Sequence, residues 1–332
     1  MKIERYERDG VSFITLTNKV GLSVTFSDIG AGIYAIVYQG RLMTVTPQSV
    51  ADYARNGNYY GLTVGRMAGR VENGLIQIGE KTYKMDQNEG PTCLHSGKDT
   101  FAFRRFAESV QEYEESAVVS YDILSENGDQ GLPGEISFSV NYEVDEEAAK
   151  IRVRYWMHLN DGDLTLVNPT NHSYFNLGEP SIEKLRLTIP ASKVMTYDKI
   201  LIPQGWEDIR GSLDFRKAKE IGRDINDPKL YETNTHGYDH CFLFEDGMNK
   251  PLVLESDTIR MSVSTNAPCV QIYSSNYPDA SRILLNGARG ALHDGLAIEP
   301  VGDPYDRTNW KLTNDHAFYR EFTYRFETKG AN

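Results

Sequence analysis

Alternation of apolar and polar residues with a period of two is the feature that most constrains the fold of this chain. It is clearest over residues 151–158, where the odd positions suit one face of a sheet and the even positions the other. Successive side chains of a β-strand point to opposite faces, so this pattern predicts a strand. Similar segments recur at residues 11–17, 22–27, 33–38, 136–144, 185–189, 252–254, 260–264, 270–273 and 321–326.

Helical periodicity, in contrast, is scarce. Residues 49–55 and 217–225 are predicted to form short helices, each too short to shape the architecture. Neither a low-complexity linker nor a repeat at fixed spacing divides the sequence. Twenty Tyr and thirteen Phe can fill an extensive core. The sequence therefore predicts an all-β fold with one antiparallel domain over residues 1–332.

The charge balance limits the partners that the chain can have. With 35 basic and 47 acidic residues the net charge is −12, which repels phosphate backbones and anionic lipid surfaces. No apolar run approaches the ~18 residues of a membrane span, and residues 1–9 are too charged for a secretory signal. We therefore expect a cytoplasmic protein that binds neither nucleic acid nor membrane.

Three cysteines, an odd number at wide spacing, indicate thiols rather than a disulfide framework or a zinc site. Cys93, Cys241 and Cys269 form no C-x-x-C pair. Free cysteine is commonly a small core residue, so all three are predicted to be buried free thiols.

A glycine-rich segment with two arginines, residues 65–70, is followed by a second glycine-rich loop around His95. No Gly-Lys-Ser/Thr follows these glycines, so they do not form a phosphate loop. Arg70 offers a rigid fork of donors to sugar hydroxyls or to a carboxylate. A structural ion pair is the alternative for Arg66 and for Arg70, and a turn position is the alternative for His95.

Two further clusters contain candidate acid and base groups. His172 lies in a polar run over residues 167–177, after a strong strand. Glu299 lies in the segment 295–304, where it follows three apolar residues and precedes a proline. Partial burial raises the pKa of a carboxyl group and makes it a proton acceptor. A structural imidazole and a solvated strand-end carboxylate are the respective alternatives.

The segment 236–240 contains two histidines four residues apart, as in some zinc proteases. Such a site needs a helix with Glu after the first histidine, whereas Gly237 indicates a turn that enters a strand. We therefore expect no metal there. Asp239 remains open as either a hydroxyl acceptor or a turn residue.

Taken together, these clusters resemble the aldose 1-epimerase family. The match runs from residues 28–31 to Glu299, and its blocks follow the order of the family. The resemblance implies a large antiparallel β-sandwich of the galactose mutarotase-like supersandwich type. It also implies an isomerase that interconverts the α and β anomers of a free aldose. The matching blocks are residues 65–70, the His95 loop, 131–134, 171–177, 236–240, 271–273 and Glu299.

The resemblance also implies roles for six residues. Glu299 matches the catalytic base, His172 the catalytic acid, and His95 a second histidine beside the ring oxygen. Arg70, Asp239 and Gln271 fall where the family holds sugar hydroxyls. Ring opening transfers a proton from the anomeric hydroxyl and another to the ring oxygen, with no redox step. We therefore expect a monosaccharide substrate, galactose or glucose, and no cofactor.

Two departures from the family pattern leave the preferred sugar open. Gly69 stands where many relatives have Asn, and residues 300–302 replace a Gln-containing run. Asp303 or Asp306 would supply further hydroxyl contacts. Three other functions remain: a non-catalytic carbohydrate-binding sandwich, a glycosidase, which normally needs two carboxylates, and a hexose-6-phosphate 1-epimerase that uses Arg66.

Overall fold

The computed structural model describes residues 1–231, 235–245 and 247–330, and strands dominate it. In chain order the strands are β1 (Lys2–Arg8), β2 (Val11–Thr17), β3 (Leu22–Ser27), β4 (Gly32–Tyr38), β5 (Arg41–Leu42), β6 (Thr44–Val45), β7 (Thr63–Val64), β8 (Arg70–Val71), β9 (Leu75–Ile78), β10 (Lys81–Lys84), β11 (Cys93–Leu94), β12 (Ala107–Glu112), β13 (Ser116–Ser125), β14 (Glu135–Asp145) and β15 (Lys150–Asp161). They continue with β16 (Leu164–Leu166), β17 (Thr170–Asn171), β18 (Tyr174–Phe175), β19 (Arg186–Thr188), β20 (Lys193–Tyr197), β21 (Pro203–Asp208), β22 (Lys219–Glu220), β23 (Asp239–Leu243), β24 (Leu252–Glu255), β25 (Ile259–Thr265), β26 (Cys269–Tyr273), β27 (Leu296–Val301), β28 (Lys311–Thr313) and β29 (Phe318–Thr328).

Helices in the described residues are short. One turn of α-helix, α1 (Val50–Ala54), begins after Ser49, whose side chain accepts a hydrogen bond from the backbone N–H of Asp52. The remaining helical turns are of the 3₁₀ type, at Glu72–Gly74, Phe101–Phe103, Asp129–Gly131, Gly211–Leu213, Ile221–Arg223, Pro228–Tyr231 and Arg307–Trp310.

Three antiparallel sheets form the body of the fold. An N-terminal sheet has the order β1-β2-β3-β4-β5, and a larger sheet has the order β12-β13-β14-β15-β29-β25-β24-β19-β22. A third sheet has the order β21-β20-β23-β26-β27-β18-β6. Separate two-stranded ladders, among them β8 with β11 and β7 with β17, lie outside these three sheets.

Alternation along each strand places one face in a shared core. In β14 the even positions are buried, in β15 the odd positions up to Leu159 are buried, and the other positions are partly or wholly exposed. Facing sheets meet through aromatic pairs: Phe26 stacks on Tyr142 at 4.7 Å between ring centroids, and Phe175 lies 5.0 Å from Tyr324. The fold is therefore an all-β antiparallel sandwich, as the sequence predicts.

The predicted strands are confirmed, and the bounds of each agree with those of an observed strand to within three residues. The helix predicted at 49–55 is also confirmed as α1. The helix predicted at 217–225 is wrong. Lys219 and Glu220 pair with β19 at the edge of the large sheet, and a 3₁₀ turn follows. Gly222 packs against Glu183, where a side chain would clash.

All three cysteines are buried and free, as predicted. Among the described residues no helix is long and apolar enough to span a membrane. The predicted single domain over residues 1–332 includes 232–234, 246 and 331–332, which lie outside the described residues, and it stays a prediction.

Candidate active site

One face of the third sheet carries three of the predicted site residues. Gln271 on β26 lies opposite Glu299 on β27, and Asp239 on β23 lies opposite Tyr273 on β26. These residues share a face because strand neighbours in register point the same way. The alternate positions Phe242, Val270, Ile272 and Ile298 are buried in the core on the other side. The strand pattern itself therefore brings the carboxylates and the amide together.

His172 approaches the same face from the segment that follows β17. Its backbone N–H donates to the carbonyl of Leu62 at 2.9 Å, and its carbonyl accepts from Gly61 at 3.0 Å. These bonds fix the imidazole with Nε2 3.5 Å from Oε1 of Glu299. Both side chains are almost completely buried. The predicted acid and the predicted base are therefore in contact.

His95 follows β11 and faces His172, with 5.5 Å between ring centroids and an angle of 88° between the rings. Its backbone N–H donates to the carbonyl of Gly69, and its Nδ1 accepts from the N–H of Gly69 at 3.2 Å. An Nδ1 that accepts a hydrogen bond leaves the proton of the neutral ring on Nε2. His95 is therefore set up as a hydrogen-bond donor through Nε2.

A chain of polar contacts continues from the pair. Arg70 donates from Nε and from one terminal nitrogen to the carboxylate of Glu89 at 2.6 and 3.0 Å, and its other terminal nitrogen lies 3.8 Å from Asp239. Nε2 of Gln271 donates to Asp239 at 2.5 Å, and the Tyr197 hydroxyl donates to Oε1 of Gln271 at 3.3 Å. The predicted hydroxyl-binding groups therefore form one network.

Burial controls the protonation of the site. It raises the pKa of Glu299 well above the usual value, with a further increase from Asp239 and an opposing effect of Arg70. It lowers the pKa of His172 to about 4. The pKa of His95 lies well below its usual value through burial, with smaller contributions of His172 and Arg70. In the described part of the chain, Nδ1 of His172 has no hydrogen-bond partner.

All six predicted site residues line a cavity of about 190 Å³. Sequence reasoning missed several other lining residues. Tyr59 packs edge-on against His95 at 4.8 Å between centroids, and Glu89 and Tyr197 hold other site residues. Glu89 lies six residues before His95, and this closeness to the His95 loop in sequence is the signal that could have indicated Glu89 as a site residue. Tyr59 and Tyr197 lie in unremarkable sequence.

Three of the sequence hypotheses about neighbouring residues are wrong. Arg66 is fully buried and donates to Ser125 and to backbone carbonyls, so it cannot hold a phosphate in the cavity. Asp303 accepts from the Trp206 indole and from backbone N–H groups, and Asp306 caps a 3₁₀ turn. Neither aspartate lines the cavity.

The two histidines of segment 236–240 also serve separate purposes. His240 is buried and accepts a hydrogen bond at Nδ1 from the backbone N–H of Asp239. His236 packs edge-on against Tyr231 and Tyr277. Asp239, which the sequence left open, lies in the cavity on a strand and not in a turn.

Comparison with known proteins was made on sequence and on structure. The family model for aldose 1-epimerase matches residues 12–306. The chain is 32% identical to a galactose mutarotase of Bos taurus, over 82% of this chain and 84% of that protein. It is 31% identical to an aldose 1-epimerase of Haemophilus influenzae, over 88% and 87%. The crystal structure of galactose 1-epimerase from Lactobacillus acidophilus superposes with a TM-score of 0.89 at 29% identity, over 99% of both chains.

A buried carboxylate in contact with an imidazole, in a cavity of a β-sandwich, is an arrangement typical of enzymes that transfer protons. The matched residues 12–306 include every residue of that pair and of its network. The chain belongs to the aldose 1-epimerase family. Its activity is that of an aldose 1-epimerase, an isomerase whose substrate is a sugar.

Proposed function

We propose that Glu299 and His172 interconvert the α and β anomers of a free aldose, with galactose the first substrate to test and glucose the second. The 3.5 Å contact between their side chains in the cavity carries this proposal. The anomeric hydroxyl and the ring oxygen are bonded to the same carbon, so two groups in contact can reach both. Galactose comes first because several relatives are named galactose mutarotase.

The reaction divides between the two residues. The Glu299 carboxylate accepts the proton of the anomeric hydroxyl while the bond from the anomeric carbon to the ring oxygen breaks. His172 delivers a proton to that oxygen, and an open-chain aldehyde results. Rotation about the bond from C1 to C2 presents the other face of the aldehyde. Reclosure with both proton transfers reversed gives the other anomer. No atom is oxidised or reduced, so we propose no cofactor.

One proton shared by the pair explains how buried groups can do this. Burial favours the protonated Glu299 and the neutral His172 when each is taken alone. Each half of the reaction moves the pair between its two one-proton forms, carboxylate with imidazolium and carboxylic acid with imidazole. The titration therefore belongs to the pair as a unit. Their contact lets the resting pair pass from the acid–imidazole form, which burial favours, to the carboxylate–imidazolium form that starts the reaction.

The remaining predicted residues orient the sugar. Asp239 is an acceptor for hydroxyl groups, and Arg70 and Gln271 supply N–H donors. Neutral His95 donates from Nε2 to the ring oxygen and thereby supports its developing charge. Holding the sugar in one orientation keeps the anomeric carbon beside the pair.

Optical rotation of freshly dissolved α-galactose tests the proposal. The chain should accelerate equilibration, and Glu299→Gln should lose about two to four orders of magnitude of that rate, because the amide cannot accept the proton. Glu146→Gln is the matched control, since Glu146 is also buried but lies by Lys19 and the N-terminus. Tight galactose binding with unchanged rotation kinetics would instead indicate a carbohydrate-binding module.

We also propose a cytoplasmic location for the protein. The three free cysteines support it, because thiols persist in reducing compartments.

A further inference from the structure

Arg70 is engaged by two carboxylates of the protein itself. Two of its nitrogens form a forked pair with the carboxylate of Glu89, and the third faces Asp239. A bidentate guanidinium–carboxylate pair fixes the plane of the guanidinium as well as its position. Arg70, one of the predicted sugar-binding residues, therefore depends for its orientation on Glu89, which is not among the predicted site residues.

Glu89 is itself held by its own loop. Its carbonyl accepts hydrogen bonds from the backbone N–H and the hydroxyl of Thr92, each at 2.9 Å. The hydroxyl of Thr92, a buried residue, also lies 3.2 Å from the Glu89 carboxylate. The chain then continues into β11, where Leu94 pairs with Arg70. Both ends of the Arg70–Glu89 contact are thus fixed to one short ladder, and His95 follows directly.

The charges around Arg70 explain why a second carboxylate is useful. Burial opposes the arginine charge, and Asp239 and Glu89 overcome this effect and raise the pKa of Arg70 above its usual value. Arg70 contacts Asp239 only at 3.8 Å, too far for a hydrogen bond. Without Glu89, the long side chain would have rotamer freedom that a bound sugar would need to remove.

We propose that Glu89 is a positioning residue, which holds the Arg70 guanidinium in the plane that meets the sugar hydroxyls. The proposal rests on the proposed function, because it concerns substrate binding in the same cavity. Glu89 acts through Arg70 and takes no part in the proton transfers. It therefore contributes to the affinity for the sugar and leaves the chemical step unchanged.

Glu89→Gln tests this role, since glutamine keeps the size of the side chain and removes its charge. We expect KM for galactose to rise about three- to tenfold, because the sugar must then order Arg70 itself. We expect kcat to change by less than about twofold, because the interaction is lost equally from the bound substrate and from the transition state. Glu143→Gln is the matched control: Glu143 also pairs with arginines, Arg152 and Arg154, on the outer face of the large sheet.

A double mutant identifies the route of the effect. If Glu89 acts through Arg70, then Glu89→Gln should change KM by less than about twofold once Arg70→Met, which removes the cation, is present. Additive effects, an unchanged or lower KM, or a fall in kcat without a change in KM would each overturn the proposal. Should Glu89→Gln fail to fold, Thr92→Val replaces it, with the same split expected. The dissociation constant of galactose, measured by calorimetry, tests Glu89 even if the chain does not accelerate mutarotation.

Discussion

His240 offers a direct test of how strongly the interior beneath the site excludes water. The imidazole is buried beneath Asp239 and accepts that residue's backbone N–H at 3.0 Å. Burial lowers the pKa of His240 to about 4, against 6.5 for an ordinary histidine. We consider the substitution His240→Asn, whose amide oxygen can accept the same hydrogen bond but does not titrate.

The expected effect follows from proton linkage. Between pH 6.5 and about 4 the unfolded chain binds a proton on His240 and the folded chain does not, so stability falls as the pH falls. At pH 5 the solution is about 1.5 pH units below the unfolded-state pKa of 6.5 and still above the folded-state pKa of about 4. This gap corresponds to about 2 kcal/mol of unfolding free energy. The wild type should therefore lose about 2 kcal/mol more than the variant between pH 7 and pH 5.

Urea unfolding at pH 5, 6 and 7, followed by tryptophan fluorescence, measures this difference. Other titrating groups act on both proteins and cancel in the comparison. His158→Asn is the control, because His158 is exposed on the outer face of β15 and should behave as the wild type does. Equal losses of stability in wild type and His240→Asn would refute the assignment of His240 as a buried neutral imidazole.

Two further predictions concern the scaffold that holds the pair. Gly61→Ala should destabilise the fold by about 3 kcal/mol more than Gly40→Ala in thermal or urea unfolding, because a Cβ at Gly61 would overlap the Ile33 carbonyl, whereas the one at Gly40 meets open space at a similar positive φ. Similar losses in the two variants would contradict this. Asn168→Ala should lower the unfolding free energy by about 3 kcal/mol, because its amide oxygen accepts from buried Arg320 at 2.9 Å and from a backbone N–H at 2.7 Å. A loss below about 1 kcal/mol would show that these donors find other partners.

The strands could be predicted because their periodicity is a local property. The alternation of apolar and polar residues is the same whichever strands pair with each other. Most strand bounds could therefore be predicted without knowledge of the neighbouring strands. The helix predicted at 217–225 is wrong because the structure of that segment depends on a distant strand, which its local pattern does not specify. Ile221 and Ile225 have helical spacing, but both are buried because the edge of a sheet and a 3₁₀ turn carry them inward.

The sequence predicts which residues belong to the site, but it does not predict the contacts that hold them in place. Arg66 and Arg70 follow glycines in the same segment and give equal sequence signals. Tertiary packing alone separates them, since Arg66 donates to carbonyls of the loop 125–133 while Arg70 faces the cavity. Glu89 was missed because its role depends on a ladder between β8 and β11 that no local pattern specifies.

Strands and loops contribute different parts of the cavity wall. Glu299, Gln271 and Asp239 alternate with core residues on three strands, so a one-residue slip of any of these strands would turn them to the core side and bring apolar side chains to the cavity. Loops, in contrast, bring Gly69, Leu201 and Pro304 to the cavity wall. Loop exchange among relatives should therefore redirect this scaffold to new sugars, whereas moving the proposed catalytic carboxylate to another position requires a change of strand register.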